Sequence, residues 1–183
     1  MNIKKTICLS LICLLTIGFI FLNSSQSSVE SNARSYRIAQ KILVISEKHD
    51  GLNSVINTVA INLARIEKMD VTGFIEPVGI LNLLIRKCAH AFEFFLLALI
   101  LFLTFDTLNM KMKDIIIYSW FILLLSAVFD EFSQSFILGR TSSVVDVLID
   151  FFGGILAAIC FSLVKLIYRI FKNKKYNSLF SIR

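Results

Sequence analysis

The sequence has little charge for its length. Asp, Glu, Lys and Arg together make up only 17% of its 183 residues, whereas 56% are hydrophobic. This balance excludes an ordinary soluble domain. The hydrophobic residues also come in runs of about twenty rather than in amphipathic stripes, and a helix needs about 20 residues to cross a bilayer core. We therefore predict one small, all-α membrane domain.

The cysteines lack the spacing of a disulfide framework or a zinc finger. All four, Cys8, Cys13, Cys88 and Cys160, fall within apolar segments, where cysteine behaves as a small hydrophobic residue. The net charge of +6 comes largely from Lys and Arg clusters at the two ends of the chain, so it indicates membrane orientation. No nucleic-acid partner is expected.

Four apolar runs are long enough to cross a membrane, at residues 6–22, 80–105, 114–138 and 144–171. The first follows Lys4 and Lys5, so it fits either a cleaved signal peptide or a transmembrane helix. Its length and the lack of an Ala-x-Ala pattern after it favour an uncleaved signal anchor. We predict a bundle of four transmembrane helices, divided into that helix (1–22), an extracytoplasmic amphipathic segment (23–79), a three-helix core (80–171) and a basic tail (172–183).

The segment between the first two spans is predicted to contain two short helices. Two apolar stripes at helical spacing lie there, one formed by Leu52, Ile56, Val59, Leu63 and Ile66 and a weaker one by Ile38, Ile42 and Ile45. We expect these helices to pack on the membrane domain or to lie on the bilayer surface.

Basic residues predict the orientation of the chain in the cell membrane. They precede the first span (Lys4, Lys5), link the second to the third (Lys111, Lys113) and fill the C-terminal tail. By the positive-inside rule all three regions, and hence both termini, are cytoplasmic. The amphipathic segment and the turn at 139–143 are then outside.

Charged residues lie where lipid should exclude them. They occur in the second span (Arg86, Lys87, His90, Glu93), the third (Asp130, Glu131, with Gln134), the turn after it (Arg140) and the fourth (Asp146, Asp150). Each charge at a helix centre costs on the order of 2.5 to 3.5 kcal/mol on insertion scales, so such residues need partners or a function. Helical periodicity gives each span one polar face, and residue counting places these faces roughly 10 to 15 Å below the external surface.

The charges in this cluster do not balance. Excluding His90, three cations (Arg86, Lys87 and Arg140) face five carboxylates. The two remaining carboxylates must be protonated, offset by a protonated His90, hydrated at helix ends or balanced by a bound cation. Imidazole and carboxylate ligands suit Mg, Mn or Zn, so His90, Glu93, Asp130 and Asp150 allow a divalent metal, although their spacing is not diagnostic and the cofactor stays open.

The candidate residues divide by chemistry into two groups. Acid, base or metal-binding roles fall to His90, Glu93, Asp130, Glu131 and Asp150, and ligand-binding roles to Arg86, Lys87, Gln134, Arg140 and Asp146. Purely structural roles are open for some of them. Glu93 can pair with Arg86 or Lys87 to fix helix packing, and Asp146 follows Ser143 at the spacing of a helix cap.

The combined motifs resemble those of the VanZ-like family. They are Lys87-x-x-His90-x-x-Glu93-Phe94, then Asp130-Glu131-x-x-Gln134, then Arg140 and Asp146 before a Gly-containing last helix, with Ser24-Ser25-Gln26 after the first span. Family members usually have Tyr at the position of Phe94. The resemblance implies a bacterial membrane protein; the founding member is associated with teicoplanin resistance, and the family supplies no established reaction.

Two classes of function follow from these residues. The first is an enzyme that acts on a cell-envelope lipid or lipid-linked precursor, with His90 and the carboxylates as acid and base and Arg140 as a phosphate ligand. The second is a noncatalytic protein that binds or helps to move such a ligand, or modulates an envelope partner. A bundle whose charges only specify helix register is a third alternative.

Overall fold

The computed structural model describes residues 3–46, 48, 51, 54–56, 58–59, 61–62, 77–140 and 142–180, with the backbone alone for 28, 77 and 174–180. The long helices of this part are α1 (Ile3–Ser24), α2 (Ser28–Ser46), α3 (Pro77–Asp106), α4 (Met112–Gln134) and α5 (Val144–Phe180). The described residues contain no strand. The prediction of an all-α fold is confirmed.

Four of these helices are long and apolar enough to span a membrane. The spans are Ile3–Ser24, Val78–Asp106, Met112–Gln134 and Val144–Asn173, with mean hydropathies between 1.8 and 2.4. The prediction of four helices able to cross a membrane is thereby confirmed, and this arrangement fits a multi-pass membrane protein. The largest differences from the predicted runs are at two ends: α4 stops at Gln134 rather than at 138, and α5 continues past 171 to Phe180.

The early end of α4 has a geometric cause. The chain must reverse between α4 and α5, and it does so through a turn in which Gly139 has a φ of 77°. Glycine adopts this left-handed conformation without the steric penalty of a Cβ atom. Hydropathy alone extended the span to residue 138 because Phe136 and Leu138 are apolar, yet both are highly exposed in the turn.

Helix α3 is the centre of the bundle, since it contacts α1, α2, α4 and α5. Its most extensive contact is with α5, where Gly153 permits a close approach to α3 and Gly154 one to α4. A Cβ atom on Gly153 would overlap the carbonyl oxygen of Ala91, and one on Gly154 would overlap the side chain of Leu123. Small residues allow helices to pack this closely.

Some of the apolar residues form a buried core, and the others form the outer surface of the bundle. The buried core is built on large side chains of α3, such as Phe94 and Phe102, with Leu123 from α4 and Ala157 from α5. Many other large apolar side chains point outward, including Phe121, which is 66% exposed. An apolar outer surface is what a helix bundle presents to lipid.

Helix α2 packs on α3. Packing on the membrane domain was one of the two arrangements predicted for the amphipathic segment. The face that it buries is not its apolar stripe, however. Ser35 and Ala39 are buried, whereas Ile38 and Ile45 are 49% and 55% exposed. Small residues are buried here because they let α2 approach its neighbour closely. The stronger stripe lies largely outside the described residues, with only Ile56 and Val59 inside them.

The two ends of the bundle differ in chemistry. At one end the hydroxyl groups of Thr6 and Thr107 are 2.7 Å apart, which places the start of α1 beside the α3–α4 connection. Lys165 pairs with Asp106 at the same end. The opposite end collects the C-terminal ends of α1 and α4 and the N-terminal parts of α3 and α5, together with the buried Asp130, Glu131, Gln134 and Asp150.

Candidate functional site

Seven of the ten candidate residues line one small cavity at this polar end, which we call the carboxylate cavity. They are Arg86, Lys87, His90, Glu131, Gln134, Asp146 and Asp150. The cavity has a volume of about 50 Å³ and is completed by Leu83 and Ile149. A water molecule needs at least roughly 10–15 Å³ measured in this way, so the space admits an ion or a few waters. The spans therefore bring most of the candidates together.

Two carboxylates form the buried centre of the site. Asp130 is 0% exposed and Asp150 is 1% exposed. The Oδ2 atom of Asp130 accepts hydrogen bonds of 2.8 Å from the Ser24 hydroxyl and from the Gln134 amide. Its Oδ1 atom and both carboxylate oxygens of Asp150 lack a hydrogen-bond donor within the described part of the chain.

His90 joins these two carboxylates from the facing helix. One ring nitrogen of His90 and one oxygen each from Asp130 and Asp150 all lie within 4.8 Å of one another. Glu93 is not part of this group. Its Oε1 atom instead accepts a hydrogen bond of 2.6 Å from the Asn23 amide, so Glu93 ties α3 to the end of α1.

Gln134 and Glu131 organise the end of α4. The Gln134 amide group donates to Asp130 and Glu131, and its carbonyl oxygen accepts a hydrogen bond of 2.8 Å from Arg140. The Oε2 atom of Glu131 accepts a 2.8 Å hydrogen bond from the backbone N–H of Ser143. These contacts fix the turn between α4 and α5, and they favour a structural role for Glu131.

The capping interpretation of Asp146 is half correct. The hydroxyl oxygen of Ser143 does cap α5, since it accepts a hydrogen bond of 3.2 Å from the N–H of Val145. The reciprocal partner is not Asp146, because Glu131 already receives the Ser143 N–H. Asp146 instead forms an ion pair of 2.6 Å with Lys87 across the α3–α5 interface.

A second, larger cavity adjoins the first. This arginine cleft has a volume of about 240 Å³ and lies between α2, α3 and the α4–α5 turn. It is lined by Arg34, Arg86 and Arg140 together with Asn23, Ser31, Ser35, Ile38, Ile85, Ala89 and His90. His90 and Arg86 line both cavities, so they separate the buried carboxylates from the arginine cleft.

The three arginines of the cleft are positioned by uncharged partners. Arg86 donates a hydrogen bond of 3.0 Å to the Asn32 side chain, and Arg34 donates to Gln26 and to Asn23. Burial lowers the pKa of Arg140, and the positive charges of Arg86 and Arg34 lower it further, although Asp130 and Glu131 act in the opposite direction. Arginine nevertheless stays protonated in proteins, so the cleft is positively charged.

Several site residues were not predicted from the sequence. Asn23 and Ser24 bind Glu93 and Asp130, and Arg34 and Asn32 of α2 complete the cleft. The position of Asn23 and Ser24 at the end of the first apolar run was a usable signal, because a polar pair there lies at the same depth as the charged residues. No local pattern marks Arg34 among the other exposed charges of α2.

A protein-family model matches the part of the chain that contains both cavities. The family model described as VanZ/LLP1 matches residues 9–166, which includes every residue of both cavities. The chain belongs to the VanZ-like family. No curated protein and no solved structure matches it. Phe94, which replaces the Tyr usual in VanZ-like proteins, is 0% exposed and fills the apolar core.

Proposed function

We propose that this VanZ-like protein binds the phosphate-bearing head group of a cell-envelope lipid or lipid-linked precursor. The arginine cleft carries the proposal, because it places Arg34, Arg86 and Arg140 around one space of about 240 Å³. Guanidinium groups bind phosphate through paired, charge-assisted hydrogen bonds. The Arg140 Nε atom is buried without an acceptor among the described residues, so it is available to such an anion.

An amphiphilic ligand suits the surroundings of the cleft better than a soluble anion. Ile38 and Ile85 line it beside the arginines. Further along α2, Val44 and Ile45 are 57% and 55% exposed. These side chains offer an apolar path next to the cations, and exposed apolar surface of this kind serves as a contact for lipid.

The distribution of basic residues supports an extracytoplasmic site. Lys4 and Lys5 start α1, and Lys111 and Lys113 lie at the α3–α4 connection, at the end of the bundle opposite to the cleft. The positive-inside rule assigns that end to the cytoplasm, with both termini. The cleft is then accessible to lipid carriers on the outer side of the membrane.

His90 is the residue that links phosphate binding to a catalytic function. It lines the arginine cleft and the carboxylate cavity, so a phosphate held by the arginines lies beside an imidazole that can transfer protons. The alternative is a noncatalytic binder or modulator of an envelope partner. Glu131 favours that alternative, because both of its carboxylate oxygens are occupied by donors from the α4–α5 region.

The binding proposal is tested with purified protein in phosphatidylcholine nanodiscs titrated with a polyprenyl phosphate. We expect Arg86→Gln and Arg140→Gln each to weaken binding about tenfold, because each removes a charged hydrogen bond to the anion. Arg37→Gln is the matched control, since Arg37 lies on α2 outside the cleft and donates to the backbone of Ala33. Inorganic phosphate is added as a competitor. Competition by phosphate alone indicates recognition of the head group, and its absence indicates recognition of the whole lipid. Equal binding by all three variants would refute the proposal.

Catalysis is separated from binding in cells. His90→Gln and Asp130→Asn are expressed in a strain that lacks the native protein, and envelope lipids are profiled. Accumulation of one unprocessed lipid in both variants indicates chemistry at the site. An unchanged lipid profile with altered surface binding of the phosphate lipid indicates the noncatalytic alternative.

Glycopeptide resistance is a separate consequence that we propose to test in the same strains. If the protein alters a phosphate-bearing envelope precursor, its loss changes susceptibility to teicoplanin, and Arg140→Gln reproduces the effect. If susceptibility is identical with and without the protein, the protein has no role in resistance. Lipid binding is then tested by the titration alone.

A further inference from the structure

We infer that His90, Asp130 and Asp150 form a binding site for one divalent cation, Zn²⁺ or Mn²⁺. Their candidate ligand atoms come from α3, α4 and α5 and lie within 4.8 Å of one another. Three ligands bound about 2.1 Å from one ion in a tetrahedral or trigonal arrangement lie about 3.4–3.6 Å from one another. Three atoms at the outer limit of 4.8 Å would each have to move by about 0.7 Å to reach one ion, which side-chain rotations can supply.

The buried carboxylates provide a second, independent observation. Asp150 is 1% exposed, and neither of its oxygens has a donor in the part of the chain that the structure describes. Buried polar atoms normally have hydrogen-bond partners, and buried charges are normally paired or coordinate metals. A cation bound by Asp150 as a bidentate ligand accounts for both unpartnered oxygens at once.

Asp130 is oriented as a metal ligand should be. Ser24 and Gln134 both donate to its Oδ2 atom, which holds the carboxylate in place. The Oδ1 atom is buried and has no donor among the described residues, so it is left for the ion. Hydrogen bonds from outside the coordination sphere commonly fix ligating carboxylates in this way.

The ligand set and its charge select the ion. Two aspartates supply two negative charges for one divalent cation, with neutral His90 as the third ligand. The imidazole suits Zn²⁺ and the two carboxylates suit Mn²⁺, whereas Ca²⁺ takes six to eight oxygen ligands. Arg140, the positively charged side chain of the α4–α5 turn, donates its hydrogen bond to Gln134 and not to either aspartate. The adjoining cavity of about 50 Å³ has room for waters that complete the coordination sphere.

The cation would also join the two cavities functionally. His90 lines the arginine cleft as well as the carboxylate cavity, so an ion on His90 lies next to the proposed phosphate site. There it can polarise a phosphoryl oxygen. The metal site itself does not depend on the proposed lipid function, since it is measured in the absence of any phosphate lipid.

Metal binding is measured on the full-length protein in detergent after treatment with a chelator. Titration with ZnCl₂ or MnCl₂ is followed by calorimetry, and bound metal is counted by elemental analysis. We expect one ion for each chain, a higher thermal transition with metal, and at least tenfold weaker binding in Asp130→Asn and Asp150→Asn. Asp106→Asn is the control, because this aspartate pairs with Lys165 at the other end of α3.

Two further measurements separate coordination from a folding defect. Without metal, we expect Asp150→Asn to have a thermal transition at least as high as that of the wild type, because it removes a buried carboxylate. With Mn²⁺, the spin-echo signal of a coordinated imidazole nitrogen should be present in the wild type and absent in His90→Gln. The inference is overturned if the wild type binds neither ion, or if Asp130→Asn, Asp150→Asn and Asp106→Asn bind equally well. Such a result would not affect the proposal of phosphate binding in the arginine cleft, which is tested by a separate titration.

Discussion

The hydroxyl group of Ser24 donates a hydrogen bond of 2.8 Å to Asp130 Oδ2, and this bond joins the last residue of α1 to the buried centre of the site. Ser24 and Asp130 are both 0% exposed. The neighbouring Asn23 binds Glu93 of α3 in the same region. Helix α1 is therefore a structural part of the polar site as well as a membrane span.

Ser24→Ala tests this connection. The substitution removes one of two donors to the buried oxygen of Asp130, so we expect a loss of about 1–3 kcal/mol of stability. Thermal unfolding in detergent measures it. Ser25→Ala is the matched control, because the Ser25 hydroxyl is exposed and donates to the backbone of Leu22. In a double-mutant cycle with Asp130→Asn, additive effects would mean that the two side chains do not interact.

Gly153→Ala tests the close approach of α5 to α3. The new methyl group would meet the backbone carbonyl of Ala91, which cannot rotate away, so we expect a loss of about 1–3 kcal/mol and a lower thermal transition. Gly154→Ala meets the flexible end of Leu123 and should cost less. Gly18→Ala, with no atom within 4 Å of the new group, should leave stability unchanged or raise it. The same loss in all three variants would contradict the packing described.

The orientation of the chain is tested by labelling with a membrane-impermeant maleimide in intact cells. We expect Ser142→Cys, at an exposed position of the α4–α5 turn, to react from outside. Leu108→Cys, in the α3–α4 connection, should react only after the membrane is permeabilised, since the basic residues beside it favour the cytoplasm. The parent protein, with its four native cysteines, is the control. The reverse pattern would place the site on the cytoplasmic side.

The transmembrane spans and their charged faces could be predicted because both depend on local properties of the sequence. Hydropathy identifies a span, and helical periodicity places His90 and Glu93 on one face of α3. The partners of these residues could not be predicted in the same way. Glu93 binds Asn23, and Arg86 binds Asn32, only because α1 and α2 pack on particular sides of α3.

Asp146 shows how tertiary contacts override a local pattern. Its position after Ser143 has the spacing of a reciprocal helix cap. The fold instead brings Glu131 from α4 to the Ser143 N–H and leaves Asp146 to pair with Lys87. Arg34 was missed for the same reason, since nothing near it in the sequence indicates that α2 lies beside Arg86 and Arg140.

The most direct test of a phosphate-lipid site is native mass spectrometry of the protein purified from its membrane in a mild detergent. We expect the wild type and Arg37→Gln to carry one phosphate-bearing envelope lipid for each chain, and the combined variant Arg34→Gln, Arg86→Gln, Arg140→Gln to lose it. If the combined variant carries the same lipid in the same amount as the wild type, the arginine cleft is not the lipid site and the account is contradicted.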